Sequence, residues 1–436
     1  MVFIREKGIG FIHIPRTGGG TIERIIGAFE NNSCGYGIND NKAQHHFTIQ
    51  ESINKWKFLE NYAFYSLIRN PVDRFVSEYL WCEARGLGYK SGQNIDEFIN
   101  SVSQIVKEKR FNETIYHDHF IPQVYFLINN NKIAVDHIFL FDELDNCAKH
   151  ICERLSINSP ADLPKVHRTT VNKPNLSSNQ IHKIQQIYHG DLLFYNFIQK
   201  SQKNIFIMTS VVESLVPQRG IYDRSTRFKQ CIETVKSIRN YCPGSKICWI
   251  EGSDLTTSES QKVIKLTDFY YNFNKSYKSK RMISFNKTIG ECYLLSSGVF
   301  SLINDINNNQ DWDVLVKISG RYRLNQEFNY DRLIENARLK NKITAKKYDT
   351  SVWDIGICYT FLYAIPRTLI VPWIQNMIWL CTATNSAKIG KRLLLIEANI
   401  MRDQEEEYLD LFTEKLGITA RKWKNYNTEE SNIEYV

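Results

Sequence analysis

Two histidines, two arginines and a serine carry the residue types that chemistry on an anionic substrate needs. His45 and His46 stand in "HHFT", residues 45–48, and an imidazole can take up or release one proton near neutral pH. Arg16 stands in "FIHIPRTGGGTIERII", residues 11–26, while Arg69 and Ser77 stand in "YAFYSLIRNPVDRFVSEYLW", residues 62–81. Fixed guanidinium charge beside hydroxyls and glycine amides is equipment for holding phosphate-like groups.

Those side chains need elements that aim them. Phe11–Ile14 is short, apolar and β-prone, and Ile22, Ile25, Ile26 and Phe29 then recur at the spacing that gives a helix one apolar face. In a strand, loop and helix of this kind the loop amides and the positive end of the helix dipole point into one concavity. Gly18, Gly19 and Gly20 permit close backbone approach, Arg16 adds charge, and Thr21 adds a hydroxyl. No Lys precedes Thr21, so the GxxxxGK loop of an ATPase is disfavoured.

Tyr62–Ile68 reads as a strand buried on both faces of a parallel sheet. Asn70 caps the next helix, Pro71 fits its first position, and Val72, Phe75, Val76, Tyr79 and Leu80 form its core stripe. Arg69 then falls at the carboxyl end of the strand and Ser77 on a helix flank facing the same crevice, where open α/β sheets bind ligands. Two such bends imply a ligand with an anionic group at each extremity.

The pair "IPRTGG" and "RNPVDRFVSEY" resembles the two phosphate loops of carbohydrate sulfotransferases that use 3′-phosphoadenosine 5′-phosphosulfate. The resemblance implies that Arg16, Thr17, Gly18, Gly19, Gly20 and Thr21 hold the 5′-phosphosulfate and that Arg69 and Ser77 hold the 3′-phosphate. It places the catalytic base in "HHFT", with His46 as first choice and His45 as second, and gives Arg16 the charge growing on the departing phosphate. "HFIPQVYFL", residues 119–127, resembles the family's His-x-x-Pro-Gln stretch, which makes His119 a candidate for substrate contact. "VDHIFLFDEL", "VHRTTVNKP" and "IYHGDLLFYNF" follow in the family's order over the first 200 or so residues. The family usually has Lys where Arg16 stands and Thr or Ser where Gly20 stands; Arg spreads the charge over a planar fork. Such transfer requires no metal.

A polar stretch, Gln199–Asn204, separates this half from a second alternating pattern, so the expected domains are 1–202 and 203–436. The fold class is α/β: a P-loop-like parallel-sheet sulfotransferase domain, then a second α/β domain of Rossmannoid type. The order of elements over about residues 204–400 resembles GT-A-type glycosyltransferases, which implies a nucleotide sugar as a second co-substrate. Such enzymes often hold a metal with Asp-x-Asp, but Asp311-Trp312-Asp313 precedes its strand, whereas ligands gather at the carboxyl end. That end offers Lys317 and Arg321, which are suited to neutralising a diphosphate, with Glu251 and Asp254 past another strand.

Composition sets the outer limits. Hydrophobic residues at 43% and charged residues at 23% of 436 describe a globular protein. A net charge of +8 without a Lys/Arg block excludes a nucleic-acid arm and fits anionic substrates. The ten cysteines form no CxxC pair. The first strand begins almost at Met1, and the most apolar stretch, Ile365–Cys381, is broken by prolines and polar residues; a cytoplasmic location without a membrane span is expected. The partner expected is an oligosaccharide or polysaccharide acceptor, and the sequence gives no oligomeric state. The competing readings are a nucleoside or sugar kinase with a divergent phosphate loop, and a non-catalytic nucleotide- or glycan-binding module.

Overall fold

The computed structural model describes residues 1–27, 38–39, 42–85, 94–114, 116–160, 162–164, 173–213, 222–275, 277–285, 287–306, 312–341, 343–347, 358–382, 413–415, 420–423 and 432–435. The chain divides into two units, Met1–Ser201 and Gln202–Val436.

The N-terminal unit is built on four strands in the order Val2–Ile4, Ile9–Ile12, Ala63–Ile68 and His137–Leu140. The first pair is antiparallel and the others are parallel, with Ile12 opposite Ser66 and Ile68 opposite Leu140. Alternation explains why both faces are dry. Ile9, Phe11, Ala63, Tyr65 and Leu67 pack on one side with Ile22 and Ile151, and Ile12, Phe64, Ile68, Ile138 and Leu140 pack on the other with Phe126 and Ile198. The first parallel strand ends at Ile12, so His13 and Ile14 lie beyond it rather than inside it, and the following helix is Gly19–Ile25. Phe29, expected on that helix, lies outside the described residues.

The helix Pro71–Arg85 starts where Asn70 Oδ1 accepts from the Val72 amide at 3.0 Å. Its buried side includes Phe75, Val76 and Leu80 as expected, and also Arg74 and Glu78, which the apolar pattern did not mark. Thr48 with Glu51 and Asn94 with Glu97 form reciprocal caps on the helices Ile49–Lys55 and Ile95–Lys107.

The C-terminal unit is built on a six-stranded sheet in the order Phe269–Asn272, Lys246–Glu251, Asn204–Ser210, Val314–Ser319, Cys358–Pro366 and Thr344–Lys347. The first four are parallel and the last two antiparallel. From Asn204–Ser210 the chain winds to one side through Lys246 and Phe269, then returns to the other at Val314. The point of reversal therefore lies between Asn204–Ser210 and Val314–Ser319. Among the described residues no helix is long and apolar enough to cross a membrane.

Candidate active site

The glycine-bearing bend carries two residues in the left-handed region, Arg16 at φ 67° and Gly18 at φ 89°. Glycine adopts that region freely, whereas Arg16 must be held there. Arg74 Nε donates to Pro15 O at 3.0 Å, Arg69 Nη1 donates to Arg16 O at 3.2 Å, and the Thr17 hydroxyl donates to Ile14 O at 2.8 Å. A Cβ on Gly19 would overlap the His13 ring. Among the described residues, none accepts a hydrogen bond from the amides of Gly18, Gly19 or Gly20. The two threonines differ from expectation. Thr17 is fully buried and its proton goes to Ile14, and Thr21 donates to Pro164 O at 3.0 Å, so both hydroxyl protons serve the chain itself.

Arg69 leaves the end of its strand with its backbone clamped by one amide. Gln123 Oε1 accepts from Arg69 N at 2.9 Å and Gln123 Nε2 donates to Arg69 O at 2.8 Å. Gln123 is itself fixed by buried Asp191, which accepts from the amides of Gln123 and Val124 at 2.7 and 3.0 Å. Burial pushes the Asp191 carboxyl up, against the pull of Arg74 and those amides. The Arg69 guanidinium sits 4.3 Å over the Phe141 ring.

The two bends meet. Arg16 donates through Nε and Nη2 to Ser77 Oγ at 3.2 and 3.1 Å, besides accepting from Arg69. The sequence reading placed the two anion holders at opposite extremities of a nucleotide; here they lie within one side chain of each other. Burial lowers the pKa of both guanidiniums, and among the described residues neither forms an ion pair with a carboxylate.

A cluster of histidines lies alongside, three of them backed by a carboxylate. His46 Nδ1 pairs with Asp118 Oδ2 at 2.8 Å, His119 Nδ1 with Glu78 Oε2 at 2.9 Å, and His13 Nδ1 with Glu23 Oε1 at 2.8 Å. The His46 ring lies 5.0 Å from that of His13, 4.9 Å from His119 and 4.1 Å from His45. Burial first, then the neighbouring His46 and His13, push the His45 pKa down to about 2. His45 is thus a neutral ring with little capacity for a proton, which separates the two residues of "HHFT". Arg74 Nη2 donates to His119 O at 2.6 Å while Arg74 Nε holds Pro15, so one guanidinium ties the glycine bend to this cluster. Trp81 fills the space between, 5.8 Å from Arg16 and 4.9 Å from the His119 ring.

Sequence reasoning passed over Asp118, Glu78, Glu23, His13, Arg74, Gln123, Trp81 and Asp191 as individuals. Arg74 and Glu78 carried a signal, since both interrupt the apolar face of their helix at helical spacing. Asp118 immediately precedes the quoted His119 stretch, and Gln123 lies within it as the Gln of His-x-x-Pro-Gln.

In the C-terminal unit Asp311 lies outside the described residues, and Asp313, at the amino end of its strand, pairs with Arg338 at 3.2 Å. Lys317 was expected as an open cation facing a diphosphate. It is instead fully buried, and its ammonium pairs with Glu291 at 2.5 Å and donates to Ser319 Oγ at 2.9 Å. Lys317 points off the strand into the protein, where a bare ammonium would be costly without that carboxylate. Arg321 is half-buried and has no carboxylate partner among the described residues.

Residues 1–198 match the family model described as Sulfotransferase family. No curated protein matches the chain. The doubly covered sheet, the two adjoining bends and the carboxylate-backed histidine beside them all lie within residues 1–198, the part of the chain that is similar to the sulfotransferase family.

Proposed function

We propose that the N-terminal unit transfers the sulfuryl group of 3′-phosphoadenosine 5′-phosphosulfate to a hydroxyl of an oligosaccharide or polysaccharide. The observation that carries this reading is the Arg16 and Arg69 pair: two half-buried arginines on adjoining bends, the Arg69 guanidinium donating to Arg16 O, and neither neutralised by a carboxylate among the described residues. Burying cations without counterions is unfavourable, and a ligand with two oxyanions on one ribose compensates both.

In this reading Arg69 and Ser77 hold the 3′-phosphate, while Arg16 and the amides of Gly18, Gly19 and Gly20 hold the phosphosulfate. The acceptor oxygen attacks sulfur in line and the bond from sulfur to the bridging phosphate oxygen breaks. The products are a sulfate ester and adenosine 3′,5′-bisphosphate. His46 takes the hydroxyl proton on Nε2, because Asp118 keeps the other ring proton on Nδ1. Arg16 offsets the charge that grows on the departing phosphate. His119, held by Glu78, is positioned to contact the acceptor. Sugar transfer by the second unit has less support, because Asp313 is engaged with Arg338 and Lys317 with Glu291.

The test incubates the protein with radiolabelled donor and a panel of cell-surface oligosaccharides, alongside His46→Ala and Arg69→Ala, and measures binding of adenosine 3′,5′-bisphosphate. Wild type labels at least one acceptor and binds the nucleotide; His46→Ala binds without labelling, and Arg69→Ala does neither. Nucleotide binding with no label on any acceptor favours a non-catalytic module. Turnover of ATP with magnesium favours a kinase, and absence of any affinity for the nucleotide removes the proposal.

A further inference from the structure

The carboxyl edge of the second sheet has a pair of arginines that nothing in the N-terminal chemistry uses. Arg227 lies in the first turns of the helix Arg224–Tyr241 and is 8% exposed. Its Nη1 donates to Val211 O at 3.0 Å, just past the strand Asn204–Ser210, and its Nε is buried with no partner. Arg321 follows the strand Val314–Ser319 on the other side of the point where the winding reverses. The two strand ends are knitted together between them: Gly320 N donates to Thr209 O at 3.0 Å. A Cβ on Gly320 would lie 3.0 Å from Cys231 Sγ and 3.1 Å from Ser210 Cβ, so a side chain here would crowd both neighbours. Cys231 is one helical turn beyond Arg227 and shares its face, so Gly320, the residue before Arg321, lies against the helix face that carries Arg227.

The neighbouring carboxylates are engaged elsewhere. Glu251 accepts from Ser210 Oγ, from Ser253 N and Oγ at 2.9 and 2.5 Å, from Val212 N at 3.1 Å and from Trp249 Nε1 at 3.1 Å. Glu291 pairs with Lys317. Neither Arg227 nor Arg321 forms an ion pair with a carboxylate among the described residues. Burial and then the charge of Arg321 hold the Arg227 pKa below its ordinary value, against a smaller opposing pull from Glu251, which makes no ion pair with it.

We infer that the second unit binds a phosphate dianion between Arg227 and Arg321, at the crevice above the strands Asn204–Ser210 and Val314–Ser319. Reversal of winding leaves a cleft at this end of an α/β sheet, and two unmatched guanidiniums set a preference for two negative charges over one. A phosphomonoester or diphosphate therefore fits better than a sulfate ester, which carries a single charge. The inference is independent of the sulfotransferase reading.

The test uses the full chain with Arg16→Ala and Arg69→Ala, which silences the N-terminal anion site. Titration calorimetry with inorganic pyrophosphate is expected to retain one binding event, and adding Arg321→Gln weakens it at least tenfold while Arg321→Lys restores part of the loss. A melting temperature unchanged by Arg321→Gln, a half-buried position, shows that the fold survives. Absence of pyrophosphate binding in the silenced protein, binding indifferent to Arg321→Gln, or methyl sulfate, a singly charged sulfate ester, binding as tightly as pyrophosphate overturns the inference. Adenosine 3′,5′-bisphosphate binding by wild type is scored separately, so failure here leaves the N-terminal reading untouched.

Discussion

Arg16 reaches across 61 residues of sequence to donate to Ser77 through both Nε and Nη2, at 3.2 and 3.1 Å. The contact joins the glycine bend to the helix that begins after Arg69, so the two bends proposed to hold the donor adjoin. Replacing Ser77 by Ala removes an acceptor for Arg16 and a donor for the nucleotide. A hydrogen bond to a charged group contributes about 1.5–3 kcal/mol, so adenosine 3′,5′-bisphosphate affinity should fall roughly 10- to 100-fold. Arg69→Ala should cost at least as much. Calorimetry decides; unchanged affinity in both variants would detach the second bend from the nucleotide site.

The His46 and Asp118 pair predicts a split between chemistry and binding. His46→Ala should lower kcat by about 10²–10⁴ while leaving donor affinity intact. Asp118→Asn is the sharper probe. An amide that donates to Nδ1 moves the ring proton to Nε2, so the imidazole presents a donor where the reaction needs an acceptor. Single-turnover labelling with Asp118→Asn should be as slow as with His46→Ala; a variant with wild-type turnover would remove His46 from the role of base.

These pairs mark the limit of what the sequence discloses. Arg69 and Ser77 were legible because a buried strand, a capped helix start and an apolar stripe fix their positions by local rules. The strands Lys246–Glu251 and Val314–Ser319 were legible for the same reason. Asp118 was not, since it lies 72 residues from His46 and only the packed fold brings them together. The contact between the two bends was not legible either, because Arg16 turns back onto Ser77 through a left-handed backbone that no periodicity encodes. Lys317 misled because a polar residue in an apolar strand reads as open, whereas Glu291 on another element neutralises it inside.

His45 should make stability depend on pH in one direction. Its folded pKa, about 2, lies below the ordinary value of 6.5. Above that ordinary value the ring is neutral in both folded and unfolded chains; below it the unfolded chain takes a proton that the folded chain refuses. Stability is therefore lost as pH falls below 6.5 toward 2, by at most about 1.4 kcal/mol per pH unit from this group. Comparing melting temperatures at about pH 7.5 and about pH 5, His45→Asn should show a smaller drop than wild type. An equal or larger drop would show that the ring takes its proton in the folded state.

Gly19 faces the His13 ring so closely that a methyl group has no room. Gly19→Ala must push the ring away, and with it the 2.8 Å pair between His13 and Glu23. Overpacking of this kind costs about 1–3 kcal/mol. The melting temperature should fall and donor binding should weaken, whereas Gly190→Ala, where a Cβ meets nothing, should leave donor binding unchanged. Gly19→Ala with normal donor affinity would show that the bend tolerates movement of His13.

Asp191 is linked to Arg69 through Gln123. Its carboxylate holds the amides of Gln123 and Val124, and the Gln123 side chain then brackets Arg69 from both N and O. In Asp191→Asn one of those two amides faces an NH2 group instead of an acceptor. A buried amide left without a partner costs about 1–3 kcal/mol. If the damage were only structural, donor affinity would follow the wild type at temperatures where the variant stays folded. Because Gln123 sets the direction in which Arg69 leaves its strand, the nucleotide affinity of folded Asp191→Asn should instead fall together with that of Gln123→Ala, and the two changes combined should cost little more than either alone.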